Sequence, residues 1–277
     1  MKKILLTNGC SWTGGHEKIH DEDTGELAPQ PDYVWPNQLV SRMPDYTVKN
    51  IAIGGNSNDK ICRQAIEYIE HNQVDAVMIQ WTAMHRKEVY VDYVQRWGNM
   101  CNHYKLEDPS DKRKRSSLKL SDIEDIMYAM HFDKTLEYTD DVLNNIDRIV
   151  RSATNDYFWQ YSETDWRIRL LKSITTMSWY LEQKGIPYMY TSMSGHQHLP
   201  MLATDHMYLD EDGKQQAHSL HTDYEKILGR ALDLGKWTKR PLSFVTKGHI
   251  DYTLHPTPKG HKIIAAELTR EFKNING

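Results

Sequence analysis

The sequence predicts an α/β sandwich around a central parallel sheet of about five strands, joined to a mainly helical insertion. Three observations carry that prediction. Short strand-like apolar segments alternate with helical patterns over the first eighty residues and again beyond residue 165. One segment, Val74 to Gln80, is nearly continuous in apolar residues, as a strand covered on both faces must be. The order strand–helix–strand–helix–strand is the one from which parallel sheets with crossover helices are built.

The elements follow in order. Ile4 to Thr7 is a first strand that runs into a tight turn at Asn8-Gly9. Residues 16–32 are polar and loop-like. Pro36 to Arg42 reads as a short helix, with Pro36 suited to a first helical turn. Tyr46 to Ile53 alternates as a second strand and is closed by Gly54-Gly55. Asn58 to Asn72 is a helix whose Ile61, Ala65, Ile66 and Ile69 share one face. Val74 to Gln80 is the third strand. Trp166 to Lys184 is a long helix ended by Gly185, and Ile186 to Thr191 is the fourth strand. Residues 196–240 are irregular apart from a helix over 222–233. Leu242 to Val245 is read as a short fifth strand, and Lys259 to Phe272 as the closing helix.

Residues 86–164 interrupt this rhythm. Moderately amphipathic patterns around 121–131 and 140–152 predict a helical insertion or cap on one domain that spans 1–277. The basic run Lys112-Arg113-Lys114-Arg115 lacks flanking aromatics and reads as a solvated loop.

Composition narrows the function. A chain of 277 residues buries enough surface to fold without disulfides, and its three cysteines, Cys10, Cys62 and Cys101, suit neither a disulfide framework nor a four-cysteine zinc site. The formal net charge of −4 argues against a chain-wide nucleic-acid footprint. No apolar run reaches membrane-spanning length. The apolar stretch after Lys2-Lys3 is too short for a secretory signal, so a cytoplasmic location is expected. The aromatics are 16 Tyr and 8 Trp against 4 Phe, a surplus of rings with polar handles that suits a sugar-facing surface or an ordinary core rim.

Two segments carry candidate chemistry. Ser11 follows the first strand in Asn8-Gly9-Cys10-Ser11-Trp12-Thr13-Gly14, where reactive groups of open α/β sheets gather. It is either a nucleophile, which needs a base nearby, or a helix cap. The base candidate is His255, before Pro256, with Asp251 upstream to orient the imidazole. The histidines at 196, 198, 206, 218 and 221 read as polar loop residues, so no metal is expected. No glycine-rich nucleotide loop is present, and no cofactor is expected.

Together these segments resemble the SGNH (GDSL-type) hydrolase superfamily. The serine block is Gly9-Cys10-Ser11-Trp12-Thr13, and the second block is Asn50-Ile51-Ala52-Ile53-Gly54-Gly55-Asn56-Ser57. Trp35-Pro36-Asn37-Gln38-Leu39 lies between them, and His255-Pro256 with Gly260-His261 forms the last block. The resemblance covers roughly 1–85 and 165–275. It implies a flavodoxin-like three-layer α/β/α sandwich and hydrolysis of an O-acyl ester, most plausibly an acetylated carbohydrate or another small ester. Carried over by position, Ser11 is the nucleophile and His255 the general base. The Ser11 and Gly55 N–H groups are oxyanion-hole donors. Trp12, Asn56, Trp81, His85 and Arg86 would bind substrate, with Tyr157, Trp159 and Tyr161 as further walls. Two departures stand out. Met84 occupies the position of the family's third oxyanion donor, an Asn, leaving Thr82, His85 or Arg86 to substitute. Asp251 lies one residue earlier than the family's spacing, so either it or a backbone carbonyl orients His255. The alternative is an SGNH-like fold that no longer turns over ester and serves as a binding or structural module. Neither nucleic acid nor membrane is expected as a partner, and oligomeric state is left open.

Overall fold

A computed structural model describes residues 2–15, 32–84, 86–91, 96–100, 163–195, 198–200, 207–209, 215–217, 222–250 and 255–276. Strand β1 (Lys3–Asn8) is followed by a single helical turn, α1 (Ser11–Gly14), and then by α2 (Trp35–Leu39). Strand β2 (Tyr46–Asn50), helix α3 (Asn58–His71) and strand β3 (Ala76–Trp81) come next. Beyond them lie the hairpin β4 (Lys87–Val91) and β5 (Arg96–Met100), helix α4 (Glu163–Lys184) and strand β6 (Tyr188–Ser192). The short pair β7 (Met207–Leu209) and β8 (Gln215–Ala217) precedes α5 (Asp223–Arg230), α6 (Leu242–Val245) and the closing helix α7 (Pro258–Asn276).

The central sheet is parallel, with strand order β2-β1-β3-β6. Period-2 side-chain alternation sorts its residues onto two cores. Leu6, Val77, Ile79, Trp81, Tyr188 and Tyr190 face Ile61 and Ala65 of α3 and Leu170, Ile174, Met177 and Leu181 of α4. Leu5, Ala76, Met78 and Met189 face Trp35 and Leu39 of α2 and Ile264, Leu268 and Phe272 of α7. Helices therefore cover both faces, as the three-layer expectation required. The chain leaves β1 toward β2 on one side and returns past β1 to β3, so the strand order reverses between β1 and β3. Ligand crevices of open α/β sheets form at such a switch point, outside the carboxyl ends of the strands.

Three expectations are corrected. The central sheet has four strands rather than five. The expected fifth strand, Leu242 to Val245, is the helical turn α6. It starts from an extended Pro241, buries Leu242 and Ser243, and is closed by Thr246 donating to the Leu242 carbonyl. What continues the sheet edge is a single parallel bridge between Tyr190 and Trp237. The 86–164 insertion, expected to be mainly helical, opens with a β-hairpin: Lys87 pairs with Met100 and Val91 with Arg96. Val89-Tyr90-Val91 is β-branched and aromatic, which suits a pleated strand. The predicted helices within the insertion, at 121–131 and 140–152, lie outside the described residues. The pair β7–β8 likewise falls in a stretch read as irregular. Among the described residues no helix is long and apolar enough to cross a membrane.

Candidate active site

β1 delivers Ser11 to the switch point through a turn that the sequence builds tightly. Asn8 accepts from the Gly9 N–H with its Oδ1 (2.8 Å) and donates from Nδ2 to the Ile61 carbonyl of α3 (2.9 Å). Gly9 has no room for a side chain, since a Cβ there would lie 2.7 Å from the Gln80 Oε1. Cys10 is extended and starts α1, so Ser11 is the first helical residue. Its N–H belongs to the first turn, where a helix supplies no acceptor of its own. Ser11 is only 8% exposed.

Gln80 is the hub of this turn. It is fully buried at the end of β3, and its Oε1 accepts from the Cys10 N–H (3.2 Å), the Cys10 Sγ (3.3 Å) and the Thr13 Oγ1 (3.0 Å). Its Nε2 donates to the Trp81 carbonyl at 2.6 Å. The sequence reading missed this residue. Its signal was a lone amide in an otherwise apolar strand, where a buried polar group must find partners.

The second block closes the turn from the other side. Asn50 donates to the Thr13 carbonyl (3.1 Å) and accepts from the Ala52 N–H (3.1 Å). Gly55 has φ of 76°, a left-handed conformation that favours glycine. Asn56 is fully buried and donates from Nδ2 to the Gly9 carbonyl (3.0 Å) and to Gln64 Oε1 (3.1 Å). Ser57 caps α3 by accepting from the Lys60 N–H. Asn58 clamps the third block, accepting from the Thr82 N–H (2.8 Å) and donating to the Thr82 carbonyl (3.1 Å).

His255 arrives from the opposite end of the chain. Its Nε2 lies 2.8 Å from Ser11 Oγ, across 244 residues of sequence. The loop that carries it is pinched at its base: Ile250 bridges Pro256, and the Thr257 N–H donates to the His249 carbonyl at 2.9 Å. Gly260 permits that closure, because a Cβ there would meet the His249 carbonyl oxygen at 2.6 Å. On α7, His261 is buried and takes the Trp35 N–H on its Nδ1 at 3.3 Å, tying the last block to α2. Burial, with the neighbouring His255 adding to it, holds the His261 pKa down to about 4. His261 is therefore a neutral acceptor at neutral pH.

The remaining expected site residues divide. Thr82 is fully buried, with its N–H committed to Asn58 and its Oγ1 accepting from Arg86 Nη1 at 3.0 Å. Arg86 Nη1 also reaches the Asn56 carbonyl at 3.4 Å. Trp12 is buried in the α2–α7 core, and Trp81 is fully buried against Tyr190, ring centroids 5.5 Å apart. Met84 packs against the α3–α4 core. Asp251, His85, Tyr157, Trp159 and Tyr161 lie outside the described residues. Of the loop histidines, His198 is buried edge-on to Trp237 with Nδ1 3.1 Å from the Ser192 Oγ. Among the described residues no cluster of three or more potential metal ligands forms.

No family model matches the chain, and no curated protein matches it. Solved structures do. The chain is similar to the psychrotrophic esterase EstA from Pseudoalteromonas sp., at 11% identity and TM-score 0.45, over 99% of this chain and 98% of that one. It is similar to a member of the lipolytic G-D-S-L family from Veillonella parvula, at 9% identity and TM-score 0.39, over 97% of both chains. It is also similar to the acetylxylan esterase Axe2 from Geobacillus stearothermophilus, at 14% identity and TM-score 0.41, over 98% of this chain and 95% of that one.

Proposed function

We propose that the protein is a divergent SGNH-type serine hydrolase that cleaves a short O-acyl ester, with an acetyl group on a carbohydrate or similarly small alcohol as the expected substrate. One observation carries the reading: His255 Nε2 stands 2.8 Å from Ser11 Oγ, within reach for direct proton transfer. A serine hydroxyl is a weak nucleophile until a base takes its proton.

The steps follow. The ester carbonyl carbon lies against Ser11 Oγ. His255 Nε2 takes the hydroxyl proton as Oγ bonds to that carbon, and the carbonyl oxygen becomes an oxyanion. The N–H groups of Ser11 and Gly55 receive it, and the Thr82 hydroxyl is the candidate for the donor that Met84 cannot supply. The tetrahedral intermediate collapses, the C–O bond to the alcohol breaks, and His255 returns the proton to the departing oxygen. Water repeats the sequence on the acyl-enzyme and releases the acid. Asp251, or a backbone carbonyl of the same loop, orients the imidazole through Nδ1.

The test is steady-state hydrolysis of 4-nitrophenyl acetate. Ser11→Ala and His255→Ala should each lower kcat/KM by about 10³-fold or more, and the double variant should lose little beyond either single one, because the pair acts as a unit. Turnover by the native protein that survives Ser11→Ala would remove the serine mechanism. No turnover from a folded native protein would favour the binding-module alternative, which the loss of the amide at position 84 motivates.

A further inference from the structure

We propose that Arg86 is the anion-recognition group of the Ser11 site, so that the preferred ester carries a carboxylate or comparable oxyanion on its alcohol portion. This rests on the hydrolase reading above.

The guanidinium enters the site under-neutralised. Arg86 is part-buried at the carboxyl end of β3, held in a turn by its N–H donating to the Ala83 carbonyl at 3.2 Å. Nη1 serves neutral acceptors only, Thr82 Oγ1 at 3.0 Å and the Asn56 carbonyl at 3.4 Å. Nε is buried without a partner, Nη2 donates to nothing among the described residues, and no described carboxylate pairs with the group. Several arginines of this fold carry a carboxylate partner, although among the described residues Arg42 and Arg230 do not. Arg167 pairs with Glu225, Arg169 with Asp59, and Arg63 with Glu67. A cation withdrawn from water without a counter-charge is costly, and one at a ligand crevice is relieved when the ligand supplies the charge.

Its position fits substrate rather than scaffold. Arg86 touches the Asn56 carbonyl, and Asn56 donates to the Gly9 carbonyl two residues before Ser11. One residue thus separates the guanidinium from the nucleophile turn. Nη2, away from the bonds that fix Nη1, is the donor left for an incoming carboxylate, with Nε buried behind it. With the short acyl group of the hydrolase reading at Ser11 and the oxyanion donors, the charge belongs on the alcohol side of the ester bond.

The experiment compares 4-acetoxybenzoate, anionic on its alcohol portion, with its neutral methyl ester, each rate divided by its hydroxide-catalysed rate. The native protein should prefer the anion by about 10-fold or more in kcat/KM, and the preference should shrink with added salt. Arg86→Gln should bring the ratio to near 1, and Arg86→Lys should retain part of it, because a lysine keeps the charge without the fork. A native ratio near 1, or a ratio that persists in Arg86→Gln, overturns the proposal. So does an equal loss on both esters, which would assign Arg86 to the reacting carbonyl. If neither ester is hydrolysed and Ser11 is not activated, the hydrolase reading fails separately. Calorimetric binding of 4-hydroxybenzoate against its methyl ester, in the native and Arg86→Gln proteins, then decides the role of Arg86 alone.

Discussion

Gln80→Met is the most informative perturbation of the scaffold. Methionine keeps the length and removes the amide. Three donors lose their acceptor: the Cys10 N–H at 3.2 Å, the Cys10 thiol at 3.3 Å and the Thr13 hydroxyl at 3.0 Å. The thiol is a weak donor and the hydroxyl can rotate, so the Cys10 amide bears most of the cost. A buried donor left unsatisfied costs about 1–3 kcal/mol, and the weaker two add about 1 kcal/mol between them. The expected loss is therefore about 2–4 kcal/mol in urea unfolding at unchanged m-value. The turn also loses the anchor that ties Cys10 and Thr13, on either side of Ser11, to β3. Acylation of Ser11 should slow by about 10-fold or more, since small misplacements of reacting groups are expensive. A variant that loses less than 0.5 kcal/mol and labels at the native rate would refute the role given to Gln80.

Further expectations follow from the same structure. Gly55→Ala places a Cβ at φ of 76° and should cost about 1 kcal/mol while lowering kcat more than it raises KM, because the Gly55 amide is a proposed oxyanion donor. Glu225→Gln or Arg167→Met breaks a buried ion pair at 2.6 Å and should destabilise by about 3–5 kcal/mol, read by urea titration, whereas replacing both with apolar residues should cost less. At Glu225, burial raises the pKa, but hydrogen bonds from Arg167 and Thr222 more than offset it and leave it below the ordinary value of 4.5. That contribution is present above pH 4.5 and lost as pH falls through the folded value. His261, with a pKa lowered from 6.5 to about 4, adds a second acid loss: stability is complete above pH 6.5 and declines as pH drops toward 4, since only the unfolded chain takes the proton readily. His198 behaves alike, because burial lowers it to about 4 despite a backbone hydrogen bond at Thr238. Urea midpoints between pH 7 and 4 should fall less steeply in His261→Gln than in the native protein.

The sequence was most legible where one pattern had one cause. β3 is apolar apart from Gln80 because helices cover both its faces, and Ser11 and His255 lie in blocks whose order and resemblance suggested that they meet. Elsewhere several causes share one pattern. Leu242 to Val245 is too short to show a period, and its apolar run suits a buried turn as well as a strand. Trp81 was expected to bind substrate, yet period-2 alternation places it with Val77 and Ile79 in the α3–α4 core. Gln80, one position earlier, points to the other face, and only the fold reveals that Cys10 and Thr13 wait there. Arg86 was legible as a substrate-binding candidate, but the lack of a carboxylate partner among the described residues shows only in the fold.

The central claim is an activated Ser11, and intact-mass labelling with a fluorophosphonate probe tests it most directly. The native protein should gain one adduct. Ser11→Ala should gain none, and His255→Ala should react about 10³-fold more slowly or worse. A folded native protein that takes no adduct, or an adduct that survives in Ser11→Ala, would contradict the account.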